Sequence, residues 1–247
     1  MLPVRDRLPT RRATPVVYLL IFANVLAFIW VRALIAAHID PERFLRSWAL
    51  VPGRFMRHPA EDAITLVTHM FLHDPTTYLH LGGNMLFLWI FGDNVEEALG
   101  SLRFLLFYLL SGLAAAFAQI LIDPSSPVMM LGASGAISGV LAAYGSLYPR
   151  AAVTVINPVP LLWLFWGLFF DLPAWIVILE YFVVNLWSAL FSVDHRSGGV
   201  AFYAHLGGFV AGLFLVRLFM IGRDATPYDR WSRFIDANRR AQRRREW

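Results

Sequence analysis

A serine and a histidine lie in two glycine-containing stretches that are otherwise apolar, and these residue types together can carry out nucleophilic catalysis. Ser134 lies in the sequence GASGA, and His205 lies in the sequence AHLGG. A serine hydroxyl becomes a nucleophile when a base takes its proton, and an imidazole can take that proton and later pass it to a leaving amine. The sequence therefore predicts Ser134 as a nucleophile and His205 as its general base and acid.

Candidate donors to a developing oxyanion accompany this pair. His80 and Asn84 are four residues apart, so they share one face of a helix, and both side chains can donate hydrogen bonds. The backbone N–H of Ser134 is a further candidate if this serine begins a helix, because the first N–H groups of a helix have no partner within it. No aspartate or glutamate has a convincing position as a third catalytic residue, so we expect a serine–histidine dyad.

Each of these motifs alone has a plain structural explanation, and that alternative stays open at this stage. Small residues in a membrane helix usually serve packing, and Gly132, Gly135 and Gly208 allow close approach of backbone and helices in either interpretation. A single buried histidine is often only a hydrogen-bonded packing residue. The functional interpretation therefore depends on the motifs occurring together.

The composition places these residues in a strongly apolar chain. Of its 247 residues, 58% are hydrophobic and 15% are charged, whereas soluble domains carry about 25% charged residues. This composition argues against an ordinary soluble enzyme and excludes an intrinsically disordered chain. The absence of cysteine excludes disulfides, thiolate metal sites and a cysteine nucleophile, which leaves serine as the best nucleophile.

Six apolar segments are close to the length of about 20 residues that a membrane-spanning helix needs. We predict an all-α bundle of six transmembrane helices in residues 15–222, between a cytoplasmic segment 1–14 and a basic cytoplasmic tail 223–247. A long first outer loop, 38–79, is apolar enough to associate with the membrane. A further apolar stretch, 159–170, is broken by proline and glycine and is predicted to be interfacial or re-entrant, and seven spans are the alternative count. The six segments are 15–37, 81–99, 104–122, 134–148, 173–191 and 199–221.

The distribution of arginine, which supplies all 21 basic residues, predicts the orientation of the chain. With six spans, 15 arginines lie on the side of the two termini and six lie on the other side. The positive-inside rule then places both termini in the cytoplasm, whereas seven spans would export the arginine-rich tail. We expect this tail to be solvated, with a helix on anionic lipid as the alternative. Nothing else in the chain favours a nucleic-acid partner.

The predicted fourth span is too short to cross the membrane. A helix over residues 134–148 rises about 22 Å, which is about 8 Å less than the thickness of the hydrocarbon core. Ser134 is therefore expected below the outer membrane surface, at the N-terminus of a truncated helix. His205 lies roughly 9 Å into the last predicted span from the same surface, so the two side chains are predicted at matching depth.

This ordered set of motifs resembles the rhomboid family of intramembrane serine proteases over most of the chain. The motifs that carry the resemblance are THMFLH at 68–73, HLGGN at 80–84, FGDNVE at 91–96, GASG at 132–135 and AHLGG at 204–208. The resemblance implies a six-helix core with Ser134 as nucleophile, His205 as general base, and Asn84 and His80 as oxyanion donors. It also implies that the substrates are transmembrane proteins and that the fifth span is the lateral gate.

Four residues depart from the pattern of the family. Ile64-Thr65 stands where many members have Trp-Arg in the first outer loop, and Asn185 lies in a region of the fifth span that often carries glutamine. Four residues after the serine, many members have an aromatic ring that stacks on the catalytic histidine, and Ser138 occupies that position here. The sequence therefore leaves the means of orienting His205 open.

The expected partners are the lipid bilayer and transmembrane protein substrates. We expect no cofactor and no metal, because the spaced pair His69 and His73 has no evident third ligand. The lack of lysine favours a bacterial inner (cell) membrane as the location, and the oligomeric state is not indicated. Two alternatives to a protease are a catalytically silent rhomboid-like protein that binds membrane clients and, with less support, a transporter, which should have paired broken helices.

Overall fold

The computed structural model describes residues 1–157, 167–191 and 202–223, and helices dominate these residues. Six of the helices have at least 14 residues, and each coincides closely with one predicted apolar segment. These helices are α1 (Pro15–Ala36), α6 (Tyr78–Leu99), α7 (Ser101–Ile122), α8 (Ser134–Leu147), α9 (Ala174–Phe191) and α10 (Phe202–Phe219).

Three of these helices, α1, α7 and α10, are long and apolar enough to cross a membrane, as judged over the described residues. α1 also leaves bulky apolar side chains such as Phe22 and Trp30 exposed, as a lipid-facing helix does. Helices α8 and α9 are apolar as well, but their apolar stretches are shorter. The chain is therefore an integral membrane protein, and three of the six predicted spans satisfy both length and hydropathy. The count of six stays a prediction.

The prediction of an all-α fold is wrong in one region. β1 (Leu2–Asp6), β2 (Ala152–Ile156) and β3 (Phe169–Pro173) form an antiparallel sheet in the order β1-β2-β3. The sheet packs on the bundle through Val153 and Val155, which are fully buried on β2. β1 lies within segment 1–14, for which the sequence predicts only a cytoplasmic segment. A local sequence pattern could not reveal it, because its partner strand lies far along the chain.

Some predicted features lie outside the described residues. They are the greater part of the interfacial stretch (159–166), the first residues of the last apolar segment (199–201) and the basic tail beyond residue 223.

The first outer loop contains short helices rather than an extended chain. It is tied to the segment that precedes α8, because Leu50 and Met130 exchange two backbone hydrogen bonds of 3.2 and 2.7 Å. In addition, the backbone N–H of Gly132 donates to the carbonyl oxygen of His69 at 2.9 Å. The short helices are α2 (Pro41–Trp48), α3 (Pro52–Arg57), α4 (Pro59–Asp62), α5 (Thr65–Thr68) and a 3₁₀ turn at His69–Phe71.

Helix α8 is the centre of the bundle, and all of its residues from Gly135 to Tyr144 are buried. It packs against α6, α7, α9 and α10. Such a position suits a helix made largely of glycine, alanine and serine, because small side chains let the surrounding helices approach closely.

Candidate active site

Glycines on α8 and α10 bring the backbones of these two helices into contact. A Cβ atom on Gly208 would lie 2.0 Å from the carbonyl oxygen of Gly135, and one on Gly212 would lie 2.5 Å from the carbonyl oxygen of Gly139. Both distances are far below a van der Waals contact, so only glycine fits at these two positions of α10. The predicted site residue on α8, Ser134, directly precedes the first of these contacts.

The two predicted catalytic side chains meet at the end of this interface where α8 begins. The Oγ atom of Ser134 lies 2.7 Å from the Nε2 atom of His205, which is a hydrogen-bond distance. The histidine side chain is only 9% exposed. Ser134 is the first residue of α8, so its hydroxyl is placed at the N-terminal end of the short central helix.

Two residues of α9 also contact the imidazole of His205. The Nδ1 atom of His205 lies 2.5 Å from the Oδ1 atom of Asn185, which is itself buried. The Tyr181 ring, one turn earlier on α9, has its centroid 6.3 Å from that of the imidazole, with an angle of 33° between the planes. Two side chains of α9 thus flank the histidine that contacts Ser134.

Ser138 connects this tyrosine to α8. Its hydroxyl donates to the carbonyl oxygen of Ser134 at 2.7 Å, and its Oγ lies 2.6 Å from the hydroxyl oxygen of Tyr181. Because the single proton of Ser138 is used in the first bond, the tyrosine hydroxyl donates in the second. Tyr181 thus contacts the imidazole through its ring and Ser138 of α8 through its hydroxyl.

Asn84 and His80, the predicted oxyanion donors, lie on α6, near Ser134 of α8. The Nδ2 atom of Asn84 donates to the Nε2 atom of His73 at 2.9 Å. Burial, joined by the nearby His80, lowers the pKa of His73 to about 3, so its imidazole is neutral and can accept this bond. One of the two N–H bonds of the Asn84 amide is engaged in this way, and the second has no acceptor among the residues that the structure describes.

Gly132 explains how His80 approaches the serine. Its φ of +119° is a conformation that residues with a side chain rarely adopt. A Cβ atom there would lie 3.0 Å from the Nε2 atom of His80 and 3.6 Å from the Oγ atom of Ser134. The missing side chain therefore leaves space where the imidazole and the hydroxyl converge.

A cavity of about 240 Å³ opens beside these groups. Four of its lining residues are the predicted site residues His80, Asn84, Ser134 and His205. The remaining walls are mainly apolar and are formed by Leu79, Gly83, Phe87, Ile137 and Tyr181. A small number of polar groups in an otherwise apolar cavity is the usual form of a binding site.

The two histidines considered as metal ligands have other interactions. The Nδ1 atom of His69 lies 2.9 Å from the carbonyl oxygen of Thr65, and His73 accepts from Asn84. Among the described residues, no group of three or more histidine, cysteine, aspartate or glutamate side chains could hold a metal ion.

A family model described as the rhomboid domain matches residues 60–221. The match covers well over half of the chain, and it includes all four helices that line the site. The chain belongs to the rhomboid family.

Individual relatives agree with this assignment. The chain is 30% identical over 181 residues to Rhomboid protein 1, mitochondrial, of Saccharomyces cerevisiae, a match that covers 69% of this chain and 45% of that protein. It is 29% identical over 151 residues to RHOMBOID-like protein 5 of Arabidopsis thaliana, which covers 61% and 42%, respectively. It is 44% identical over 78 residues to Rhomboid protease GluP of Bacillus subtilis, covering 32% and 14%. The chain thus spans less than half the length of each of these relatives.

The structure also reveals how this rhomboid departs from the family pattern at Ser138. The ring that many members place four residues after the serine is absent, and Tyr181 of α9 brings a ring to the same histidine. Sequence analysis missed Tyr181 and assigned no role to Asn185 or to His73 as a partner of Asn84. The spacing of Tyr181 and Asn185, four residues apart on one face of an apolar helix, is the signal that could have indicated the first two.

Proposed function

We propose that this rhomboid is an intramembrane serine endopeptidase that cleaves the transmembrane segments of other membrane proteins with a Ser134–His205 dyad. The observation that carries the proposal is the 2.7 Å contact between the serine hydroxyl and the imidazole, buried beside an apolar cavity. A hydroxyl within hydrogen-bond reach of a base is the arrangement that an activated nucleophile requires. Membership of the rhomboid family agrees with it.

In the proposed reaction, the Oγ atom of Ser134 attacks the carbonyl carbon of the scissile peptide bond while its proton passes to Nε2 of His205. The carbonyl oxygen becomes negatively charged in the tetrahedral intermediate. The intermediate then collapses, the C–N bond breaks, and the proton on Nε2 moves to the leaving amine. Water, deprotonated by the same Nε2 atom, then attacks the acyl carbon, the bond between that carbon and Oγ breaks, and the proton returns from Nε2 to Oγ of Ser134.

Three groups are proposed to stabilise the oxyanion. The backbone N–H of Ser134 lies in the first turn of α8, where the helix supplies no acceptor and where its dipole favours negative charge. The second N–H of the Asn84 amide remains after the bond to His73, and His80 lies on the same side of the cavity. Donors that are held in place before the reaction are the effective ones, because they need no reorganisation.

The substrate in this proposal is a helix that unwinds locally. A transmembrane helix hides its peptide carbonyls in its own hydrogen bonds, so a scissile carbonyl can reach Ser134 only after a few of those bonds open. Glycine or proline near the cut lowers the cost of opening. The resemblance to the family also implies a preference for small residues at the cut.

We propose that the chain spans a bacterial cell membrane six times, with both termini in the cytoplasm. The coincidence of the six long helices with the six apolar segments supports this count. Because the chain contains no cysteine, single cysteines can be introduced without removing any. A membrane-impermeant thiol reagent should label position 46 in intact cells and position 12 only after lysis.

The test of activity uses purified protein in liposomes with a model transmembrane substrate. We expect Ser134→Ala and His205→Ala to abolish cleavage, and a fluorophosphonate probe to label the wild type but not Ser134→Ala. Ser111→Ala is the matched control. It removes a buried hydroxyl that has no hydrogen-bond partner within the described part of the chain, and it should leave cleavage unchanged.

Two results would reject the proposal. Cleavage that persists in Ser134→Ala would show that another group or a contaminant is responsible. Binding of the transmembrane substrate without any cleavage or probe labelling would favour the alternative of a catalytically silent client-binding rhomboid.

A further inference from the structure

We propose that Asn185 of α9 is a positioning residue for the dyad, which holds His205 in one tautomer and one orientation. This inference rests on the proposed protease function. It assigns to α9 a part in the catalytic apparatus, in addition to any part in admitting the substrate.

The orientation of the Asn185 amide follows from its two bonds. Its Nδ2 atom lies 2.8 Å from the carbonyl oxygen of Tyr181, one turn earlier on the same helix. A carbonyl oxygen can only accept, so the amide group that faces it must be the NH₂ group. The oxygen of the Asn185 amide is consequently the atom that faces the imidazole.

This orientation determines the proton on the imidazole. The Oδ1 atom of Asn185 lies 2.5 Å from Nδ1 of His205, and an amide oxygen can only accept. Nδ1 must therefore carry a proton. In a neutral imidazole the other nitrogen, Nε2, is then a free acceptor, and this is the atom that lies 2.7 Å from the Ser134 hydroxyl. Asn185 thus selects the tautomer that can take the serine proton.

The local environment favours a fixed position for both side chains. Asn185 is 7% exposed and His205 is 9% exposed, so water does not readily replace either partner. Tyr181 adds a ring contact to the same imidazole and is tied to Ser138 on α8. Through these contacts α9 reaches the imidazole at two points, one turn apart.

The proposal has a consequence for substrate entry. Separation of α9 from α10 at the level of Asn185 would leave His205 without the amide oxygen that accepts from Nδ1 and without the Tyr181 ring. Entry of a substrate must therefore either leave this level of α9 in contact with α10 or restore the contact before Ser134 is acylated.

The test compares two asparagines with the same local bond. Asn24 of α1 is also buried, and its Nδ2 atom donates to the carbonyl oxygen of Leu20 at 2.8 Å, one turn earlier, but within the described part of the chain it forms no hydrogen bond with His80, Asn84, Ser134 or His205. Replacing either residue with leucine keeps a similar volume. We expect Asn185→Leu to lower kcat and the rate of fluorophosphonate labelling by about 10- to 100-fold, with KM little changed. Asn24→Leu should leave the labelling rate within about threefold of wild type.

A second measurement separates positioning from folding. ¹⁵N NMR of the labelled histidine should show a proton mainly on Nδ1 in the wild type and a mixture of tautomers in Asn185→Leu. Asn185→Asp keeps an oxygen opposite Nδ1 and should recover most of the lost labelling rate. An unchanged tautomer or an unchanged labelling rate in Asn185→Leu would overturn the proposal, as would an equal loss in Asn24→Leu. Because the tautomer is read without substrate, it tests Asn185 even if the wild type cleaves nothing.

Discussion

Helix α10 carries the candidate general base and contacts α8 and α9 in two different ways. Against α8 the contact is between backbones, since neither Gly208 nor Gly212 has room for a Cβ atom. Against α9 the contact is between side chains. Phe182 and Phe209 have ring centroids 5.0 Å apart, and Asn185 bonds to His205.

This difference separates a fixed interface from an adjustable one. Backbones in contact cannot yield to a larger residue, because no rotamer change relieves the collision. Side chains can change rotamer or leave a cavity, and the cost is then limited. The nucleophile and the base are thus placed on a pair of helices whose contact accommodates no larger residue, whereas the helix that the family resemblance assigns as the gate contacts this pair through side chains.

The largest effect is expected where the fixed interface is broken. Gly208→Val would place a side chain where a Cβ atom alone lies 2.0 Å from the carbonyl oxygen of Gly135. We expect loss of Ser134 labelling by more than about 100-fold, because the dyad requires α8 and α10 at this distance. The control is Gly82→Ala on α6, where a Cβ atom meets nothing within 4 Å. Full labelling of Gly208→Val would refute the distinction.

A smaller effect is expected at the adjustable interface. Phe182→Ala removes a ring from the α9–α10 contact and leaves a cavity, so the apparent unfolding temperature should fall. We expect the labelling rate of Ser134 to stay within about tenfold of wild type, because the α8–α10 contact is untouched. The measurement is a thermal scan with fluorophosphonate labelling on the same sample. Labelling as low as in Gly208→Val would show that both interfaces are equally rigid.

Removal of the hydrogen bond between Tyr181 and Ser138 tests whether α9 positions His205 through Tyr181 as well as through Asn185. Tyr181→Phe and Ser138→Ala each remove this bond, which is 2.6 Å long. We expect each variant to reduce the labelling rate about three- to tenfold, and the double variant to lose little more, with a coupling of about 1 kcal/mol. Independent, additive losses would indicate that the two hydroxyls act separately.

The smallest effect concerns the C-terminal part of α8, where Tyr144 donates to Asp6 of β1 at 2.7 Å. Burial, with a contribution from Asp93, raises the pKa of Asp6 from 3.8 to about 7. Between these values the folded chain binds more protons than the unfolded chain, so stability should fall as the pH rises through that window. Asp6→Asn keeps an acceptor for the tyrosine and should flatten this fall. The check is the apparent unfolding temperature at about pH 5 and about pH 8. An equal pH dependence in both proteins would mean that Asp6 does not titrate there.

The long helices were predictable because each is a local pattern. All six apolar segments coincide with helices, and α8 begins at Ser134 as the short fourth segment predicts. The contact between Ser134 and His205 also agrees with the depths derived from helix rise alone. The sheet was not predictable in this way, because β1 is a short strand that contains proline and an arginine, and only pairing with β2 makes it a strand.

The sequence by itself determined the family, the apolar character of the chain and the four predicted site residues that line the cavity. These depend on residue types and on their spacing within single helices. Only the tertiary structure decided what surrounds the imidazole of His205 and which residue binds the amide of Asn84. Asn185, Tyr181 and His73 acquire their partners across helices or loops that are separate in sequence. The physical reason is that a hydrogen bond between side chains depends on the distance and direction between two backbones, and packing sets those after each helix has formed.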